Sequence, residues 1–245
     1  MPRCTVTSLR SADARVGSAL RCAAVGLSAA AMLSAFPGLA EDARGGTAGE
    51  TVEGVLERVL RILHNTELPV SQRRDQIAVV AYEHFDFATI SSLVINPHWR
   101  MFRDDERARF VDSFKDYLAR SYGRRLDEYD DANSEVVESV ETPRHDYVVR
   151  TLVRGGKFNG REIDYRMRCQ SGQEGVRDAR CENGRWLVID VLFNGVSMVK
   201  NFRAQFRPIL NKGGAQELLR VLGEKNLEDV VSEFEAEISN STAGE

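Results

Sequence analysis

Asp190 lies inside the apolar run Trp186-Leu187-Val188-Ile189-Asp190-Val191. A carboxylate in such a setting must be hydrogen-bonded or paired. Two roles meet that demand: a structural carboxylate bonded to backbone or to an Arg, or a buried acid or base in catalysis. Cys169 and Cys181, with eleven residues between them, are the second feature with chemical content. They read as a redox or metal pair, or as a disulfide closing a hairpin loop. Cys-x-x-Cys spacing and a neighbouring His are both missing, which weakens the first reading. The second would add roughly 3 kcal/mol through loop entropy in an oxidising compartment. His64, His84, His98 and His145 show no paired metal-ligand spacing. Phosphate-cradling glycine loops are absent, and Ser197 in Gly195-Val196-Ser197-Met198 lacks the closing glycine of a nucleophile elbow. No cofactor or metal is expected.

The elements that must position these residues belong to an ordinary globular chain. Its 245 residues are 42% hydrophobic and 29% charged, with a net charge of −4. This excludes a disordered, collagenous or many-spanning protein, and the charge balance argues against a basic nucleic-acid binder. The N-terminus reads as an address. Arg3, Arg10, Arg15 and Arg21 face one acid, Asp13, before an uncharged run from Cys22 to Phe36 and then Gly38-Leu39-Ala40. That order predicts a signal peptide over 1–40, cleaved after Ala40, with an uncleaved N-terminal anchor as the alternative. Cleavage removes four Arg and one Asp, leaving 29 basic and 36 acidic residues and a net charge of −7. The remainder, 41–245, reads as a single domain with an acidic C-terminal extension from about residue 226.

Apolar spacing of three and four predicts a helix over 51–64, carrying Val52, Val55, Leu56, Val59, Leu60 and Leu63. Ser71 is the expected N-cap of a second helix, and Ala88 to Val94 form a short third. Asn96-Pro97 marks a stop, and Asp104 is expected to cap a helix striped with Phe110, Val111, Phe114, Tyr117, Leu118 and Tyr122. The Arg103-to-Arg109 charge run reads as its solvated face. From Glu135 the period becomes two. Strands are expected over 135–142, 146–154, 161–169 and 185–193, the last central in the sheet and covered on both faces. Ser197 caps a helix with Val199, Phe202, Phe206, Ile209 and Leu210, broken at Gly213-Gly214. A final amphipathic segment covers 226–238. Helices flanking an antiparallel block make this α+β.

The segment Trp186-Leu187-Val188-Ile189-Asp190-Val191, followed by Asn194-Gly195-Val196-Ser197-Met198-Val199-Lys200-Asn201-Phe202-Arg203-Ala204-Gln205-Phe206, resembles the MlaC (toluene-tolerance) family. That family has a Trp-x-x-x-Asp strand, a Gly-Val-Ser turn and an Asn-aromatic-Arg-x-x-Phe helix start. Phe85-Asp86-Phe87, Trp99-Arg100, the Phe110-to-Phe114 helix and Tyr122 follow in the family's order, so the resemblance spans about 52–226. Ile95-Asn96 stand where the family has Leu-Gly, and the loop from Cys169 to Cys181 is longer than usual.

The resemblance implies a periplasmic protein of Gram-negative bacteria that binds phospholipid. It would pass lipid between an inner-membrane ABC transporter complex and an outer-membrane lipoprotein complex, thereby serving outer-membrane lipid asymmetry. The implied fold is a curved antiparallel sheet packed by helices around an apolar cavity, like nuclear transport factors. On that fold the acyl chains are expected between the sheet face of Tyr147, Val149, Tyr165, Met167 and Val191 and the helices bearing Phe114, Val199 and Phe202. Lys200, Arg203 and Arg207 would meet the headgroup, with a structural pair between Arg203 and Asp190 as the rival role. About 30 methylenes at ~0.8 kcal/mol each explain why free lipid does not cross water unaided. Some relatives handle hopanoids, so a sterol-type cargo is a variant of the same reading. The alternative from another class is an isomerase or dehydratase with Asp190 as acid or base and Tyr147 or Tyr165 as donor. A ligand-free interaction module would instead show a filled core.

Overall fold

The computed structural model describes residues 46–123, 133–171, 180–181 and 184–223. The N-terminal 1–40 segment and the C-terminal 226–238 segment lie outside them. Helix α1 (Ala48–Leu63) starts from a capping box. Thr47 Oγ1 accepts from Glu50 N–H at 3.2 Å, and Glu50 Oε2 accepts from Thr47 N–H at 2.8 Å. Helix α2 (Val70–His84) begins after Pro69, whose φ of −54° is already suited to helix entry, so Ser71 lies inside the helix and does not cap it. In α3 (Phe87–Val94), Asp86 caps by accepting from Thr89 N–H at 2.9 Å. A 3₁₀ turn, His98–Met101, then leads to α4 (Asp104–Gly123). Asp104 lies inside α4, and the Arg103 N–H before it donates to Glu106 at 2.9 Å.

The antiparallel strands β1 (Asn133–Glu141), β2 (Tyr147–Arg154), β3 (Glu162–Ser171) and β4 (Gly184–Phe193), with the two-residue β5 (Val196–Ser197), pair in sequence order. The sheet is curved and unclosed, with register shifts in the β1–β2 and β3–β4 pairings. Such bulges bend and twist a strand. Asn194 and Gly195, with φ of 46° and 79°, turn β4 back into β5. β4 is buried over Trp186–Val191, as its two-sided apolar pattern predicts, yet it is not central. Beyond it, among the described residues, lie β5 and a parallel bridge between Phe85 and Val188. Its position near the sheet edge departs from the expectation, while its burial on both faces agrees with it.

Helix α5 (Met198–Gly223) is the last described element, and Ser197 Oγ caps it by accepting from Lys200 N–H at 3.1 Å. Gly214, with φ 61° and ψ −147°, kinks it where the glycine pair predicted a break. Leu218 and Leu222 beyond the kink are buried again.

Two apolar clusters result. The helical cluster joins α3, α4 and α5 through Ile90, Val94, Phe110, Phe114, Phe202, Phe206 and Leu218. Phe114 is its centre, with ring centroids 5.2 Å from Phe202, 5.6 Å from Phe110 and 5.7 Å from Phe206. The sheet cluster joins α1 to β2, β3 and β4. Phe85 packs against both. Truncating a wholly buried ring at such a junction leaves a cavity as well as losing apolar burial. Phe114→Ala is therefore expected to lower unfolding free energy by about 3–5 kcal/mol in urea titration. A loss below about 1 kcal/mol would place the structural centre elsewhere.

Candidate functional site

Strand pairing puts five of the expected lining residues side by side. Tyr147 lies opposite Met167, Val149 opposite Tyr165, and Tyr165 opposite Val191. Side chains alternate across a sheet, so all five share one face with Val153, Ile163, Val188 and Trp186. Val149 and Met167 are fully buried there, and Tyr147, Phe158, Tyr165 and Phe193 form a half-buried aromatic rim. Tyr147 meets Trp186 edge-on, with ring centroids 5.0 Å apart. One polar group on the face, Thr151, is satisfied by donating to the Ile163 carbonyl at 2.7 Å.

The other three expected lining residues are elsewhere. Phe114, Val199 and Phe202 belong to the helical cluster, packed ring against ring. Ala48 and Val52 of α1 are what cover the sheet face. The stripe on α1 was visible in the sequence, but a stripe does not name the surface it covers.

Asp190 sits on the opposite side of β4 from Val191, facing the start of α5. Its Oδ2 accepts from the Ser197 hydroxyl at 2.5 Å, and its Oδ1 accepts from Val199 N–H at 3.0 Å. A carboxylate at a helix N-terminus is also favoured by the helix dipole. Arg203, the expected alternative partner, reaches a different acceptor: its guanidinium donates to the Leu93 carbonyl, with Nε at 2.9 Å. It therefore ties α5 to the end of α3, because the Asp190 oxygens already hold the turn into α5. Lys200 and Arg207 are exposed on α5. Cys169 and Cys181 are joined as a disulfide, with Cys181 wholly buried in the sheet cluster.

Asp146 was not singled out in the sequence, yet it is 1% exposed. It accepts from both Arg166 (2.8 Å) and Arg168 (2.7 Å), on the face opposite Met167. The clue was Arg166 and Arg168 alternating with Met167 and Cys169. A groove of about 290 Å³ between the first turns of α4 and the end of α5 is lined by Arg103, Glu106, Arg109, Gln216, Leu219 and Arg220. Its polar walls are unsuited to hydrocarbon. Among the described residues, no group of three or more His, Cys, Asp or Glu side chains could hold a metal ion.

Burial raises the Asp190 pKa above the ordinary carboxylate value, against the pull of its hydrogen bonds to Ser197 and Val199. A group whose folded pKa is raised contributes stability that is present below its unfolded pKa and lost as pH rises through the folded value. Wild type should therefore lose thermal stability relative to Asp190→Asn as pH climbs from about 4 through the carboxylate range. A difference in Tm that stays constant with pH would contradict this.

The chain matches the family model described as MlaC protein over residues 53–224. No curated protein matches it significantly. Among solved structures, it is similar to a phospholipid-binding protein from Ralstonia solanacearum, determined in complex with a phospholipid. The two share 19% sequence identity and superpose with a TM-score of 0.61, over 75% of this chain and 98% of that one. That likeness extends the α+β fold, and the family model covers the sheet and nearly all of the helices just described. This chain belongs to the MlaC family.

Proposed function

We propose that this protein is a periplasmic lipid carrier that takes up phospholipid acyl chains against the apolar face of β2–β4. In this reading it shuttles lipid between an inner-membrane ABC transporter complex and an outer-membrane lipoprotein complex. The observation that carries the reading is the sheet face itself: a contiguous row from Tyr147 to Val191, covered by α1, in a chain of the MlaC family. The fold's likeness to a protein determined with a phospholipid supports it.

The physical case is one of exchange. Hydrocarbon that leaves a bilayer for an apolar face keeps most of its ~0.8 kcal/mol per methylene. The lipid can then cross an aqueous space without exposing its chains. A carrier must also release its cargo, so the net affinity is far smaller than that gross sum. A net charge of −7 after loss of the N-terminal 40 residues keeps the protein as a whole from anionic bilayer surfaces, which suits docking to partner complexes. No described helix is long and apolar enough to cross a membrane. The basic, apolar, small-residue order of 1–40 supports export.

The enzymatic alternative needs Asp190 and a tyrosine to act on one substrate. Asp190 pairs across the strands with Arg166, while Tyr165 and Val191 form the neighbouring pair, so carboxylate and phenol project to opposite faces. Both Asp190 oxygens are also engaged by Ser197 and Val199. The carrier reading asks no chemistry of Asp190.

Organic extraction of protein purified from periplasm, followed by mass spectrometry, is expected to release about one phospholipid per chain. Protein that carries no lipid, and binds none when incubated with phospholipid vesicles, would refute the carrier reading. A hopanoid in its place would keep the carrier and change the cargo.

A further inference from the structure

The helix covering the apolar sheet face is held at its first residues by burial of Ala48 and Val52 and by polar contacts centred on the Gly46 carbonyl. The Gly46 carbonyl accepts from the Trp186 indole Nε1–H at 2.9 Å and from Cys181 N–H at 3.3 Å. Thr47, which caps α1, forms an antiparallel bridge with Arg180. Both donors are fixed to the sheet. Trp186 is on β4 opposite Cys169 of β3, and the disulfide binds Cys181 to that same Cys169. The disulfide thus positions Cys181, and the β3–β4 pairing positions Trp186, the two donors that grip the entrance to α1.

The rest of α1 is seated more lightly. The buried side chains of α1 are Ala48, Val52 and Leu63, while Val55, Leu56, Val59 and Leu60 between them are only half-buried. On α4, by contrast, Phe110, Phe114, Tyr117 and Leu118 are all buried. Elements with few buried apolar contacts are those that open locally at least cost. The far end of α1 is anchored to α2, where Arg73 donates to the Leu63 carbonyl and Arg58 pairs with Glu83. Opening the N-terminal half of α1 thus requires releasing Gly46 and the Thr47 bridge and lifting Ala48 and Val52 from the sheet cluster, while the C-terminal half stays attached to α2.

We infer that α1 is a lid over the β2–β4 face and that the Gly46–Trp186–Cys181 contact is its latch. Resting on the carrier reading, this adds a route: an acyl chain reaches Val149, Met167 and Val191 when the latch opens and the N-terminal half of α1 lifts. Leu56, half-buried against the sheet cluster, can then close over the hydrocarbon.

The structure supplies the test. A Cβ at Gly49 would lie 3.7 Å from the Cβ of Ser139 on β1, a spacing suited to a disulfide. In Gly49→Cys/Ser139→Cys the oxidised staple fastens α1 to the sheet. Loading of a pyrene-labelled phosphatidylethanolamine from vesicles should then slow by more than about tenfold relative to Gly49→Cys alone. Trp186→Phe, which removes one latch hydrogen bond, should speed loading by about fivefold. Its α1 amides should exchange with deuterium faster while those of α4 stay unchanged. Stapled protein that loads at the unstapled rate overturns the lid alone, because the carrier reading survives. Wild-type protein that takes up no probe overturns both. Equal acceleration of α1 and α4 amides in Trp186→Phe would make the indole a general support of the fold and overturn the latch.

Discussion

The apolar face of β2–β4 has to be kept from water, and much of the structure follows from that requirement. The strands carry Val149, Val153, Met167, Val188 and Val191 on one side and Arg150, Arg166 and Arg168 on the other. Burying one such side chain is worth about 1.5–3 kcal/mol. A row of them left bare would be an aggregation surface. The chain meets this demand with α1, an incompletely seated helix, where a second sheet or a full helical layer would seal the face permanently. On the proposed reading, such a cover closes the face in the unloaded protein and lifts to admit hydrocarbon.

The helical cluster plays the opposite part. Phe110, Phe114, Phe202 and Phe206 interlock at ring separations of 5.2–6.3 Å. Asp190 and Arg203 fasten this unit to its surroundings, one binding the start of α5 to β4 and the other binding α5 to the end of α3. Asp146, gripped by Arg166 and Arg168, stiffens the β2–β3 pair from the solvent side. Polar side chains therefore hold the scaffold, while the β2–β4 face beneath α1 is almost wholly apolar. That division suits binding by area, with modest demands on the identity of each acyl chain.

Much of this was legible in the sequence because periodicity is a local property. Ile163, Tyr165 and Met167 alternating with Asp164 and Arg166 specify both β3 and its inward face. The Phe110-to-Tyr122 stripe specifies α4, and Gly213-Gly214 marks the kink in α5. What was not legible is which surface meets which. Phe114 and Phe202 carry the residue types of a lipid pocket, yet they fill a helical core, because Phe is equally suited to either. The coverage of the sheet by α1 includes the Gly46 carbonyl meeting Trp186, 140 residues along the chain, and no local pattern encodes that contact. The partner of Arg203 was missed for a similar reason: a backbone carbonyl leaves no mark in sequence.

The most direct test of the central claim locates the hydrocarbon. Methyl-labelled protein would be loaded with a phospholipid carrying a nitroxide on one acyl chain, and the broadening of methyl resonances recorded. Broadening should concentrate at Val149, Val153, Met167, Val191 and Val52 and spare Leu210, Leu218 and Leu222 of the helical cluster. Broadening confined to the helical cluster, or spread evenly over the surface, would contradict a cargo held between the sheet and α1.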